Sequence, residues 1–156
     1  MQAVIFIGIQ ATGKSTYYKN RFFHSHVRLS LDLLNTRKKQ QKFLNTCLST
    51  QSKFVVDNTN PTLKEREQII NISKEHKYEV VGYYFSSEIE DAINRNNKRT
   101  GKQKIPEKGI WSCFNRLVIP DYKEGFDKLF FVKIENDKFL TEDWKKKIKD
   151  SQPGKL

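Results

Sequence analysis

Residues 3–16 read Ala3-Val4-Ile5-Phe6-Ile7-Gly8-Ile9-Gln10-Ala11-Thr12-Gly13-Lys14-Ser15-Thr16, an apolar run that breaks at a glycine and restarts as a polar segment. From Gly8 onward the spacing is G-x-x-x-x-G-K-[ST] at every required position. The unbroken run Ala3 to Ile7 is how a strand buried on both faces reads, and Tyr17 to Arg21 can continue a helix. Strand, glycine-framed loop and helix in that order are the context a phosphate-binding loop needs. The glycines let the backbone turn back so that successive N–H groups converge on phosphate oxygens. The helix that opens at Gly13 aims its unpaired N–H groups and positive dipole end at the same anion. Lys14 can then reach the outer phosphates and the Ser15 hydroxyl can hold Mg²⁺. Gly8, Gln10, Ala11, Thr12, Gly13, Lys14, Ser15 and Thr16 are therefore the candidate nucleotide cradle.

The rest of the composition bounds what such a loop serves. A chain of 156 residues with 37% hydrophobic and 12% aromatic content is long enough for one domain with a real core. Lys and Arg number 29 against 18 Asp and Glu, a net charge of +11, which favours polyanionic partners such as nucleic acid or nucleotides. No apolar run approaches the roughly 18 residues a membrane span requires. The first residues do not read as a secretory signal, because their apolar stretch leads straight into the loop. Cys47 and Cys113 stand apart with no C-x-x-C pair, so reduced thiols and a cytoplasmic setting are the expectation. His24, His26 and His76 form no zinc-ligand pattern.

Along the chain, His26 to Ser30 reads as a second strand, followed by a long helix with Leu33, Leu34, Phe43, Leu44, Cys47 and Leu48 as its apolar positions. Lys53 to Asp57 is a third strand that ends in a carboxylate. Pro61 lies near the start of a helix reaching about His76. Tyr78 to Phe85 is a fourth strand, and Ser87 with Glu90 offers a capping box to the helix behind it. A basic loop, Arg99 to Lys104, precedes a helix from Pro106, and Lys128 to Ile134 is the last strand. Beyond Asn136 the chain is charged; Trp144 and Ile148, four apart, would anchor a short docked helix, and Ser151 to Leu156 would fray. Alternation of strands and helices gives an α/β, three-layer fold of about five mostly parallel strands with a small helical lid at about 94–104. The domain built around the phosphate loop would be 1–135 and the charged extension 136–156.

In such sheets ligands sit at the carboxyl ends of the strands, where Gly8, Asp32 and Asp57 fall. Asp57 is placed either to orient Mg²⁺ or simply to form the turn at a strand end. Asp32 reads equally as a general base facing an acceptor or as the N-cap of the next helix. Arg95 and Arg99 share one helical face; they clamp phosphates if the helix closes over the loop, and otherwise form part of a solvated basic face.

Six blocks stand in order: Gly8-x-x-x-x-Gly13-Lys14-Ser15-Thr16, Arg28-Leu29-Ser30-Leu31-Asp32, Val56-Asp57-Asn58-Thr59-Asn60-Pro61, Arg95-Asn96-Asn97-Lys98-Arg99, Ile105-Pro106 and Pro120-x-x-x-Glu124-Gly125-Phe126-Asp127. Together they resemble the 5′-kinase domain of polynucleotide kinases, as in phage and animal end-healing enzymes, and more closely small stand-alone bacterial P-loop proteins of that group. The resemblance runs from about residue 3 to residue 134. It implies a P-loop fold and ATP- and Mg²⁺-dependent transfer of a γ-phosphoryl group to a 5′-hydroxyl end of DNA or RNA. By position, Lys14 and Ser15 would hold phosphates and Mg²⁺, Asp32 would be the general base, and Arg95 and Arg99 the lid arginines. Leu31 stands where the family usually has an arginine that holds the acceptor phosphate, with Arg28, Arg37 and Arg116 as replacements. Ala11 stands where better-known members carry glycine. The chain lacks an Asp-x-Asp-Gly-Thr phosphatase motif and a ligase lysine motif, so 3′-end processing or sealing would fall to a separate phosphatase or ligase partner. Two other readings keep the loop: a kinase for a small-molecule hydroxyl, consistent with Leu31, and a nucleotide-binding regulatory module with little turnover.

Overall fold

A computed structural model of the chain describes residues 1–144. Its strands are β1 (Gln2–Ile7), β2 (Val27–Leu29), β3 (Phe54–Val56), β4 (Glu79–Phe85), β5 (Lys128–Glu135) and β6 (Lys138–Asp143). They form one six-stranded sheet in the spatial order β2-β3-β1-β4-β5-β6. The first five are mutually parallel and β6 runs antiparallel to β5. The helices are α1 (Lys14–Arg21), α2 (Leu31–Leu34), α3 (Arg37–Ser49), α4 (Leu63–Glu75), α5 (Ile89–Asn97) and α6 (Glu107–Arg116), with 3-10 turns at Gly101–Gln103 and Tyr122–Glu124. This is the three-layer P-loop kinase fold. Among the described residues no helix is long and apolar enough to cross a membrane.

The continuous apolar run of β1 is explained by two cores. Ala3, Ile5 and Ile7 face a cluster built with Leu44, Cys47 and Leu48 of α3, Ile69 and Ile70 of α4, and Ile110 and Cys113 of α6. Val4 and Phe6 face Tyr17, Tyr18 and Phe22 from α1 and the residue behind it. Each residue from Ala3 to Ile7 is fully buried, so a strand at the centre of the sheet has no polar face to show. Cys47 and Cys113 are buried free thiols, and burial pushes both above their usual range.

Three expectations are corrected. The long second helix is two: Asn35 takes a left-handed backbone (φ 69) and ends α2, and the Thr36 side chain then accepts from Lys39 N–H to start α3. The Ser87 capping box does not form. Glu88 is the N-cap of α5, without a side-chain cap, because Ser87 Oγ donates to Phe85 O at 2.8 Å and accepts from Ile9 N–H at 3.2 Å. Last, residues 138–143, expected as part of a charged extension, form a strand, β6. Asn136 (φ 51) and Asp137 (φ 59) make a tight turn, and β6 completes a hairpin whose Phe139 packs on Tyr17, ring centroids 5.2 Å apart. The helix expected on Trp144 and Ile148 lies, past Trp144, outside the described residues, as do residues 151–156.

Candidate active site

The parallel register brings the carboxyl ends of β1, β2 and β3 together: Val56 pairs with Ile5 on one side and Leu29 on the other. Residues immediately beyond these ends therefore meet. Asp57 N–H donates to Leu29 O at 2.8 Å, and Gly8 N–H donates to Thr59 O at 3.0 Å, so the third strand's loop braces the first. Asn60 reinforces it by donating from Nδ2 to Phe6 O at 2.7 Å.

The loop conformation accounts for its residues. Gly8 and Gly13 have φ 155 and 91, and Ala11 has φ 61. Ala11 thus holds a left-handed backbone where glycine would be unstrained, at a cost of about 1–2 kcal/mol, while its buried methyl joins the core. A Cβ on Gly13 would lie 2.8 Å from Phe139 Cε1 and 3.1 Å from Ile134 Cδ1. Gly13→Ala should therefore destabilise the fold by about 2–4 kcal/mol through overpacking and backbone strain; a urea melt with the wild-type midpoint would refute this.

Lys14 is buried, and its Nζ donates to Gly8 O at 3.0 Å and Ile9 O at 2.6 Å. Burial pulls its pKa down to about 8, with the Asp57 carboxylate opposing the shift. Ser15 Oγ donates to Asp57 Oδ2 at 3.1 Å. That separation is near the roughly 2.9 Å octahedral edge that follows from Mg–O bonds of about 2.0–2.1 Å, and both donors are hard oxygens, so the pair fits a divalent ion. Arg28, which sequence reasoning considered only as an acceptor contact, lies on this pair: its Nε donates to Asp57 Oδ2 at 2.8 Å.

Asp32 is exposed on α2 at the mouth of the site, close enough to act on the charge of Lys14. It is not the helix N-cap. Ser30 is, with its Oγ accepting from Asp32 N–H at 3.2 Å. Leu31 donates its N–H to Asn58 Oδ1 at 2.9 Å. Arg37 pairs with Glu65 at 3.0 Å near the surface, whereas Arg116 is exposed at the end of α6. Arg95 Nη1 reaches Ala11 O at 3.4 Å, and Arg99 Nη1 donates to Gln103 O at 3.4 Å while its charge adds to burial in lowering the pKa of Lys14. A small cleft beside Arg95 is lined by Thr12, Ser86, Asp91, Arg95, Lys133 and Ile134.

Sequence reasoning missed two supports. Ser87 ties Ile9 to the end of β4, and Arg66, fully buried, binds Asn60 O and Pro61 O at 3.0 and 3.1 Å while pairing with Glu124. A polar residue inside the apolar stripe of α4 was the signal for Arg66.

Comparison with known proteins gives the kinship. Residues 20–155 match the family described as chromatin associated protein KTI12. The bifunctional polynucleotide phosphatase/kinase of Schizosaccharomyces pombe is 27% identical over 147 residues, 92% of this chain and 36% of that protein. A putative bifunctional polynucleotide phosphatase/kinase of Acanthamoeba polyphaga mimivirus is 29% identical over 154 residues, 93% of this chain and 37% of that one. The chain thus spans little more than a third of the length of these curated relatives. Among solved structures, Chaetomium thermophilum Kti12 in complex with ADP-AlF3 superposes with a TM-score of 0.62 at 15% identity, over 86% of this chain and 90% of that one. A gluconokinase from Sinorhizobium meliloti gives 0.60 at 13% identity, over 85% and 82%. At such identities the structural likeness speaks for the P-loop kinase fold alone. With the family match running through all but the first nineteen residues and a little of the C-terminal end, the chain belongs to the KTI12 family, within the P-loop kinases related to polynucleotide kinases.

Proposed function

We propose that this chain is an ATP- and Mg²⁺-dependent phosphotransferase that moves the γ-phosphoryl group of ATP to the 5′-hydroxyl end of DNA or RNA. One observation carries the reading: a buried cation, a hydroxyl–carboxylate pair and a solvent-facing carboxylate converge where the first three strands end, in a chain similar over nine-tenths of its length to polynucleotide phosphatase/kinases. The loop from Gly8 to Thr16 cradles the nucleotide phosphates, and Lys14 leaves its carbonyl partners for the outer phosphate oxygens. Ser15 and Asp57 would hold the divalent ion, which would supply charge neutralisation. Asp32 accepts the proton of the attacking hydroxyl. Arg95 and Arg99 close over the transferring group and stabilise the charge spread on its oxygens. The net charge of +11 holds the strand through its phosphates, so KM for an oligonucleotide rises steeply with salt.

The deciding experiment is transfer of labelled γ-phosphate from ATP to matched 5′-hydroxyl DNA and RNA oligonucleotides. Labelling that depends on Asp32 supports the reading and ranks the two acceptors; ATP binding without labelling of either sinks it. A small-molecule acceptor is the second reading, favoured by Leu31 at the arginine position; the KM of a small neutral acceptor would not depend on salt. Arg99 rests on Gln103 beside the site, so Arg99→Ala should lower kcat by about 10²–10³-fold yet leave ATP affinity without acceptor nearly unchanged. The reverse pattern, intact kcat with weakened ATP binding, would argue against a closing lid.

A further inference from the structure

Arg28 touches both oxygens assigned above to the divalent ion. Its Nε donates to Asp57 Oδ2 at 2.8 Å and its Nη2 donates to Ser15 Oγ at 3.0 Å. The Asp57 side chain is 1% exposed and that of Arg28 20%, so the carboxylate is sealed beneath the guanidinium. Tyr18 of α1 holds the guanidinium in turn, with its ring centroid 5.8 Å from the Arg28 guanidinium carbon. Arg28 is anchored on three sides, and its charge balances a buried carboxylate that would be costly alone.

That arrangement leaves little for a second cation. Ser15 Oγ gives its proton to Asp57 and one of its two lone pairs to Arg28. A divalent ion on the same oxygens sits beside the guanidinium, and repulsion between charges this buried is poorly screened by water or salt. Nucleotide phosphates bring the negative charge that shifts the balance.

We propose that Arg28 is an internal cation that competes with the divalent ion for the Ser15–Asp57 pair, so that the ion is held weakly by the protein alone and loads together with nucleotide, displacing the guanidinium. This rests on the reading of Ser15 and Asp57 as the metal pair. The consequence is a site that does not load a metal ahead of its nucleotide.

Mn²⁺ titration of the full chain by electron paramagnetic resonance tests the competition. Without nucleotide, Arg28→Gln should bind Mn²⁺ about tenfold or more tightly than wild type, within the usual range of coupling between two sites. Arg28→Lys, which keeps the charge, should stay near wild type. Equal or weaker Mn²⁺ binding by a folded Arg28→Gln protein overturns the proposal, since Arg28 would then only orient Asp57. A second readout needs no variant: in the wild-type protein the Arg28 Nε–H nuclear magnetic resonance signal should shift or broaden when Mg²⁺ and ADP are added together. A signal unmoved at saturation also overturns it. Asp57→Asn separates the two layers. It should weaken Mn²⁺ binding to the protein beyond the Mn²⁺ that ADP alone takes up; if protein-bound Mn²⁺ is unchanged, the metal assignment itself has failed, whatever Arg28 does.

Discussion

Asp32→Ala should cut phosphoryl transfer by about 10²–10⁴-fold, the usual contribution of a positioned general base, while ATP affinity stays within about twofold. Nothing in the fold leans on this carboxylate. It is exposed, and among the described residues it joins no salt bridge; the helix that carries it is started by Ser30 and tethered through Leu31 N–H to Asn58. Asn58 is held in turn by donating to Gln40 Oε1 at 2.7 Å. The side chain can therefore be removed without moving the backbone, and its loss is read as chemistry. Single-turnover transfer and calorimetric ATP binding, measured on one preparation, test both halves. Asp32→Asn, which keeps the shape and loses the base, should fall as far as alanine. A near-normal rate in either variant would remove Asp32 from the mechanism.

The second large effect concerns stability. Arg66 donates to both oxygens of Glu124, at 2.7 and 3.1 Å, with side chains 0% and 11% exposed. Removing one partner strands a buried charge, so Arg66→Met or Glu124→Leu alone should cost about 3–5 kcal/mol, which in a domain of this size lowers Tm by roughly 6–20 °C. The double variant should recover part of that loss, because the uncompensated buried charge is gone, while the carbonyls of Asn60 and Pro61 still lose Arg66, and the Asp121 N–H still loses Glu124, as a hydrogen-bond partner. Yet it should not recover transfer. Arg66 also binds the carbonyls of Asn60 and Pro61, in the loop that braces Gly8 through Thr59. Additive losses in the double variant, read by calorimetric unfolding, would show that the two side chains act independently.

Much of this protein was written in short stretches. The phosphate loop, the two-sided burial of β1, the parallel α/β alternation and the helix starting behind Pro61 follow from patterns a few residues long. Local steric and capping preferences decide such features before any distant contact forms. The Asn136-Asp137 turn was equally local, and a pairing of two residues fit for positive φ was its signal. The charges at Lys138, Glu142 and Asp143 hid the strand around Phe139-Leu140-Thr141, because one face of an edge strand is solvated and reads like an exposed tail.

What the sequence left open was which charges meet. Arg28 and Asp57 are 29 positions apart, Ser15 and Asp57 42, Arg66 and Glu124 58. Their pairing depends on strand order and register, which no local pattern carries. From the chain alone Arg28 was one of three replacements for a missing acceptor arginine, and Asp57 was a metal ligand or a turn. The parallel register of β2, β3 and β1 set the guanidinium on the carboxylate and the carboxylate on the serine. Residue types settle which groups can do chemistry; only the packed sheet decides the distances between them, because those distances are fixed by contacts formed across the whole chain.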